Sequence, residues 1–520
     1  MRHPLLSLIR KSSIFLIICF NAQLTPQWAA IAFEEPLSSQ SVLSAFRDKE
    51  KPSSESICPA QLESAIEAVI NRPQLRRTRW GILIEPLSPN AIAHISSVNQ
   101  DNALYRREAE HYFIPASNVK LLTTAAALLQ LGSDFRIRTS IYSAGAGSLR
   151  VVGRGDPSLT DAQLRELAQQ LKRQGIRNVR QLIVDDGHFQ GDAINLTWEW
   201  EDVQSDYGTA VNSLILNQNA AKLTLSPQQV GQPLRLTWTD AIASRQWRVE
   251  NLSVTAQAAV PSTVEVSGVL GQPLLQIKGQ LAIDAEPESF YLAILDPTKY
   301  FLEQFQRVLT EEGIHVAKAM VSKTRTTGQQ ELATIESAPL SALLVETNQQ
   351  SNNLYAEVLL RTLHASGIQS GDAEANKDSV EIGLNEVKEA LTTLGVNPES
   401  YVLVDGSGLS RRNLVSPDAI VQTLKLMAQS PQAAVYRDSL PAGGVSGTLR
   451  RRFLNTTAQG NLQAKTGTLT GVSALSGYLD VPGYQPLVFS IMVNQSDQSV
   501  TILRQAIDEI VLLLTRLRSC

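Results

Sequence analysis

Two strand-like runs near the front of the chain and three near its back, each group flanked by an amphipathic helix, restrict the fold more than any other feature. "RWGILIEPL" and "AIAHI", separated by "SPN", predict a hairpin, and "LQAKTGTL", "GVSALSGYLDV" and "PLVFSIMVN" predict three further strands. Ahead of the first group Pro59 occupies a first helical position, with Leu62, Ile66 and Val69 on one face. Behind the last group Leu503, Ile507, Ile510, Leu514 and Leu517 share a face. Short loops make neighbours antiparallel, so the two groups fit one five-stranded antiparallel sheet in an α+β domain. The chain must then leave this domain and come back.

The middle of the chain fits such an excursion. From about residue 136 to 297 the runs are mostly strand-like, among them "SLRVVG", "AKLTLSP", "WRVENLSVTA" and "LLQIKGQLA". One helix interrupts them, "DAQLRELAQQLKRQG", with Thr160 and Gln163 spaced as a capping box. A helical segment from Thr298 leads back. The predicted organisation is one domain built from residues 57–136 and 298–520, with a mostly β insertion over 137–297 that holds two nested domains. Trp198 and Trp200 of "WEWED" read as packing residues.

At the N-terminus Arg2, Arg10 and Lys11 precede "IFLIICF", and "AIA" before Phe33 offers a small-residue cleavage site, so residues 1–32 read as a signal peptide. A retained anchor is the alternative, although the apolar core is far short of the roughly 20 residues that span a bilayer. Residues 33–56, rich in Ser, Glu and Lys, read as a linker. The expected location is the periplasm, with peripheral membrane association left open. Of the 46 basic residues, 43 remain after the leader, against 50 acidic ones, a formal charge of −7 that gives no support for nucleic acid as a partner. The six histidines are scattered without zinc-ligand spacing, so no metal or other cofactor is expected. Cys58 and Cys520 are left at opposite ends of the mature chain; an exported pair can form a disulfide, but sequence alone does not bring them together.

Three short motifs carry chemistry. In "FIPASNVKLLTTAAALLQLG", Ser117 and Lys120 stand at i and i+3 where a helix begins, within mutual reach. A lysine made neutral by burial, the helix dipole or a second cation could activate the serine without histidine. The alternative is an N-cap serine beside a solvated lysine. "QAKTGTLTG" holds the second cation, Lys465. On a strand Thr466 and Thr468 share one face, Gly467 allows a ligand close to the backbone, and the Thr468 and Ser117 N–H groups could form an oxyanion hole. Alone, this tripeptide also fits an edge strand. In "SNNLYAEVLLRTL", Ser351 and Asn353 open a helix, where a hydroxyl could relay a proton and an amide could hold a peptide group.

Ser-x-x-Lys, Ser-x-Asn and Lys-Thr-Gly in this order are the signature of penicillin-binding proteins and serine β-lactamases. With "GRGDPSL" and "VDGSGLSRRNLVSP" added, the chain from about residue 60 to its end resembles the class C low-molecular-mass penicillin-binding proteins, a family of D-Ala-D-Ala carboxypeptidases and endopeptidases. The resemblance implies a five-stranded sheet flanked by helices, a helical subdomain, and an inserted domain pair between the first two motifs. It also implies roles: Ser117 as acylated nucleophile, Lys120 as its base, Ser351 as proton relay, Asn353 as substrate holder, and Lys465, Thr466 and Thr468 facing the terminal carboxylate. Peptidoglycan stem peptides and cross-links would be substrates and β-lactams inhibitors. A serine β-lactamase is a competing reading, since "EIGLN" (381–385) carries the letters of a deacylating Glu-x-x-Leu-Asn segment. Helical periodicity places Glu381 and Asn385 on the flank of a buried stripe, against that role. A non-catalytic peptidoglycan-binding scaffold is a further alternative, which three intact motifs disfavour.

Overall fold

The computed structural model describes residues 56–87, 103–322, 330–367 and 378–520, apart from the side chains of 364–367. The signal peptide, almost all of the linker and the strand expected over 91–95 lie outside the described residues. At the centre is a five-stranded sheet in the order Tyr105–Arg107, Arg79–Pro86, Leu487–Asn494, Val472–Leu479, Leu462–Leu469, every pair antiparallel. The front and back of the chain therefore meet along one ladder, Arg79 opposite Asn494 and Pro86 opposite Leu487.

Alternation along each strand divides the sheet between two cores. Ile82, Ile84, Leu475, Phe489 and Ile491 pack under the terminal helices Pro59–Ile70 and Val500–Leu514. Leu83, Ala474, Tyr478, Val488 and Met492 face a helical layer on the other side. The centre of that layer is helix Val119–Leu131, buried on every side from Val119 to Leu128. Its Ala-rich composition follows, because neighbouring helices can approach closely all round only over small side chains. The first turn of this fully enclosed helix holds Lys120.

The insertion is larger than the sequence predicts. Its first core is built on a mixed sheet in the order Ala319–Ser322, Gln181–Asp185, Ser148–Val152, Arg138–Ser143, Glu331–Glu336, so residues expected in the main domain belong to it. Helix Pro297–Glu311, expected to lead back, instead buries Tyr300, Phe301, Phe305, Val308 and Leu309 in the same core, beside helix Asp161–Arg173. The chain returns only after Glu336, at helix Leu340–Gln349. A second apolar cluster, with Leu223, Leu225, Trp247, Leu275 and Ile277, lies among short strands between residues 220 and 293.

Cys58 and Cys520 are joined by a disulfide with their Cα atoms 5.8 Å apart. Backbone bonds reinforce it: the Ile57 N–H donates to Arg516 O (2.9 Å), and the Arg518 N–H to Ile57 O (3.1 Å). Cys58→Ser is expected to lower unfolding free energy by about 2–4 kcal/mol. Amide exchange should quicken first in helix Pro59–Ile70; an unchanged denaturation midpoint would contradict this.

Candidate active site

Ser117 lies in a single 3₁₀ turn, Ala116–Asn118, that runs into helix Val119–Leu131. The turn is tightly enclosed. Ala116 has φ +48, a left-handed conformation that side chains other than glycine rarely adopt. Two glycines allow backbone to pack on the turn: a Cβ at Gly408 would lie 1.9 Å from Ala116 O, and one at Gly467 would lie 2.7 Å from Pro115 O. Gly467 thus admits the turn that carries Ser117.

Lys120 is fully buried. Its Nζ is 3.2 Å from Ser117 Oγ, 2.6 Å from Asn353 Oδ1 and 2.7 Å from Ser407 O. Asn353 Oδ1 and the Ser407 carbonyl can only accept, so they take both hydrogens of a neutral amine and leave its lone pair for the Ser117 hydroxyl. The Asn353 amide is held in that orientation from its other end, where Nδ2 donates to Tyr207 O at 2.9 Å. Tyr207 belongs to the insertion. Burial pulls the Lys120 amine down to about 7, against the opposing pull of Asp405 and Glu357.

Lys465 is also fully buried, donating to Ser351 Oγ (2.8 Å) and Thr466 O (3.0 Å). Burial, and then Lys120, hold its amine well below the ordinary range. Ser351 has φ +60 and sits just ahead of helix Asn353–Gly367. Ser117, Ser351, Asn353, Thr466 and Thr468 line one cleft of about 1260 Å³ between the main domain and the insertion. The structure thus brings all three motifs together. Thr466 Oγ1 is 2.8 Å from Thr448 Oγ1.

The loop "VDGSGLSRRN" supplies the Ser407 carbonyl, and two buried carboxylates shape it. Asp405 accepts from the N–H groups of Gly408 (2.8 Å) and Ser410 (2.7 Å), from Asn413 Nδ2 (2.8 Å) and from Trp198 Nε1 (3.0 Å). Glu357 Oε1 accepts from the Gly406 and Ser407 N–H groups, each at 2.9 Å. Burial and then Asp405 push the Glu357 carboxyl up to about 7. Sequence reading missed both carboxylates. The signal for Glu357 was a charged pair with Arg361, at i and i+4, inside an apolar helix face. Trp198 is buried packing, as expected, and also a hydrogen-bond donor, whereas Trp200, read as packing too, is exposed. Glu381 and Asn385 are exposed on helix Ser379–Leu394 and do not line the cleft, which leaves the β-lactamase reading without its deacylating base. Among the described residues no cluster of potential metal ligands occurs.

A fold with this sheet and helical layer, and a serine–lysine pair at their junction, defines an active-serine peptidase of the penicillin-binding class. Residues 62–517 match the D-Ala-D-Ala carboxypeptidase 3 (S13) family, and the chain belongs to it. Similar relatives include a D-alanyl-D-alanine carboxypeptidase of Actinomadura sp. (strain R39), 32% identical over 81% of each chain. Penicillin-sensitive carboxypeptidase A of Dictyostelium discoideum is 30% identical over 84% of this chain and 87% of its own. The crystal structure of penicillin binding protein 4 from Haemophilus influenzae shares the fold, with a TM-score of 0.73 at 24% identity over 86% of this chain and 98% of that one.

Acylation of Ser117 is expected to rise with pH through about 7, as Lys120 loses its proton. Asn353→Asp would set a carboxylate against Nζ and stabilise the ammonium. The midpoint of the acylation–pH profile should then move up by at least about one unit, a roughly fivefold loss at pH 7 that approaches tenfold at lower pH and recovers toward alkaline pH. An unmoved midpoint would count against Lys120 as the base.

Proposed function

We propose that the protein is a serine D,D-peptidase that removes the terminal D-alanine of peptidoglycan stem peptides and also cuts D-alanyl cross-links to meso-diaminopimelate. The observation that carries the reading is the buried Lys120 amine 3.2 Å from Ser117 Oγ, with Asn353 Oδ1 and the Ser407 carbonyl as its other partners. Family membership and the D-alanyl-D-alanine carboxypeptidase among the relatives support the substrate class.

Ser117 Oγ attacks the carbonyl of the penultimate D-alanine while Lys120 takes its proton. The oxyanion gathers at the Ser117 and Thr468 N–H groups. As the C–N bond breaks, the Ser351 hydroxyl, held by Lys465, relays a proton to the leaving amine. Water then attacks the ester and frees Ser117 with the shortened peptide as a carboxylate. β-Lactams enter at the same carbonyl position and stay as acyl-enzymes. The N-terminal run supports export to the periplasm with cleavage before Phe33.

Labelled penicillin should acylate the wild-type protein at Ser117, and Ser117→Ala should abolish the label. Label retained by that variant, or none on the wild type, overturns the assignment. Monomeric and cross-linked muropeptides, with products resolved by mass, separate the two activities; cleavage of monomers alone removes the endopeptidase half.

A further inference from the structure

One face of helix Asn353–Gly367 serves the Lys120 amine twice. Asn353 Oδ1 accepts from Nζ directly, at 2.6 Å, and Glu357 stands one turn further along, at i+4, fully buried. Glu357 Oε1 takes the N–H groups of Gly406 and Ser407, both at 2.9 Å, while the carbonyls of the same two residues turn to helix Val119–Leu131. Gly406 O accepts from Thr123 Oγ1 (2.8 Å), and Ser407 O accepts from Lys120 Nζ (2.7 Å). The loop lies tight against the helix of Glu357, since a Cβ at Gly406 would come 3.0 Å from Ala356 O and 2.9 Å from Leu360 Cβ. Glu357 therefore reaches Lys120 through the backbone of one residue, Ser407.

A carboxylate accepts two N–H bonds more strongly than a neutral group does, but it also brings a charge into a site shielded from water. That charge favours the proton on Lys120, as Asp405 does from the loop, while Lys465 is the cation that faces Lys120 from strand Leu462–Leu469. On its far side Glu357 Oε2 meets Arg361 Nη1 at 3.6 Å, a further turn along the same helix, with both side chains buried. Asp192 and Asp378 face Arg361 in turn. A guanidinium stays charged when buried, so Arg361 offsets part of the carboxylate's charge. Glu357 can then hold the loop without acting as a full counter-ion to Lys120.

We propose that Glu357 is a positioning residue for the base: it aims the Ser407 carbonyl at the Lys120 amine, and its charge, offset by Arg361, tunes how firmly that amine keeps its proton. This rests on the reading of Lys120 as the base of a D,D-peptidase. It adds to that reading a residue that does not line the cleft and meets no reacting atom.

The test is the rate of Ser117 acylation by labelled penicillin, followed against pH in the disulfide-bonded protein and two variants. Glu357→Gln keeps an acceptor oxygen for the two N–H groups and removes the charge. Its profile should keep the same shape with the midpoint lowered by about one unit. At pH 5.5 its rate, relative to its own alkaline plateau, should then exceed that of the wild type about five- to tenfold, a gain that structural damage does not produce. Glu357→Leu removes acceptor and charge together, so its plateau should fall at least about tenfold below that of Glu357→Gln. A midpoint in Glu357→Gln that stays or rises overturns the proposal, and so does a folded Glu357→Leu with the plateau of Glu357→Gln. If Glu357→Leu does not fold, the profile of Glu357→Gln decides alone. The two levels separate cleanly: a wild type that takes no label at Ser117 refutes the peptidase reading, whereas a labelled wild type with an unmoved midpoint in Glu357→Gln refutes only the role of Glu357.

Discussion

The removal of one amine from water is the constraint on which the rest of the site depends. Lowering a lysine from 10.5 to about 7 corresponds to about 5 kcal/mol against its charged form. Asp405 and Glu357 pull the other way but are already occupied by the backbone of the 405–410 loop. Their charge is spent on holding that loop, and the loop offers Lys120 a carbonyl in place of a counter-ion. A carboxylate in contact would have kept the proton on the amine and left Ser117 an ordinary alcohol.

This arrangement makes the insertion part of the active site. Tyr207 O fixes the orientation of Asn353, and Trp198 Nε1 closes the ring of donors around Asp405. The orientation of Asn353 decides whether Lys120 meets an acceptor or a donor. The excursion between the first two motifs therefore returns contacts to the chemistry, among them a backbone carbonyl and an indole.

The edge strand Tyr105–Arg107, which pairs only with Arg79–Pro86, was not foreseen, the second front strand being expected over 91–95; the four long strands of the central sheet were legible because period-two alternation and short connections act locally. The extent of the insertion was not. An amphipathic helix declares that it has a buried face without declaring which core receives it, and Pro297–Glu311 joined the nearer one. The motif residues were legible for the same local reason as the sheet: Ser117 and Lys120 share one turn. Glu357 and Asp405 act through tertiary neighbours far away in sequence, and the carbonyls of Tyr207 and Ser407 belong to the backbone, which has no side-chain signature.

The bond between Cys58 and Cys520 has a topological result. It closes 463 residues of polypeptide, counted from Cys58 to Cys520, into a covalent ring that contains both the sheet and the insertion. One cut anywhere on that ring opens it without dividing it. A protease that nicks an exposed loop of the insertion leaves a single molecule, and separating the fragment that bears the nucleophile from the fragment that bears Lys465 takes a second cut or a reductant.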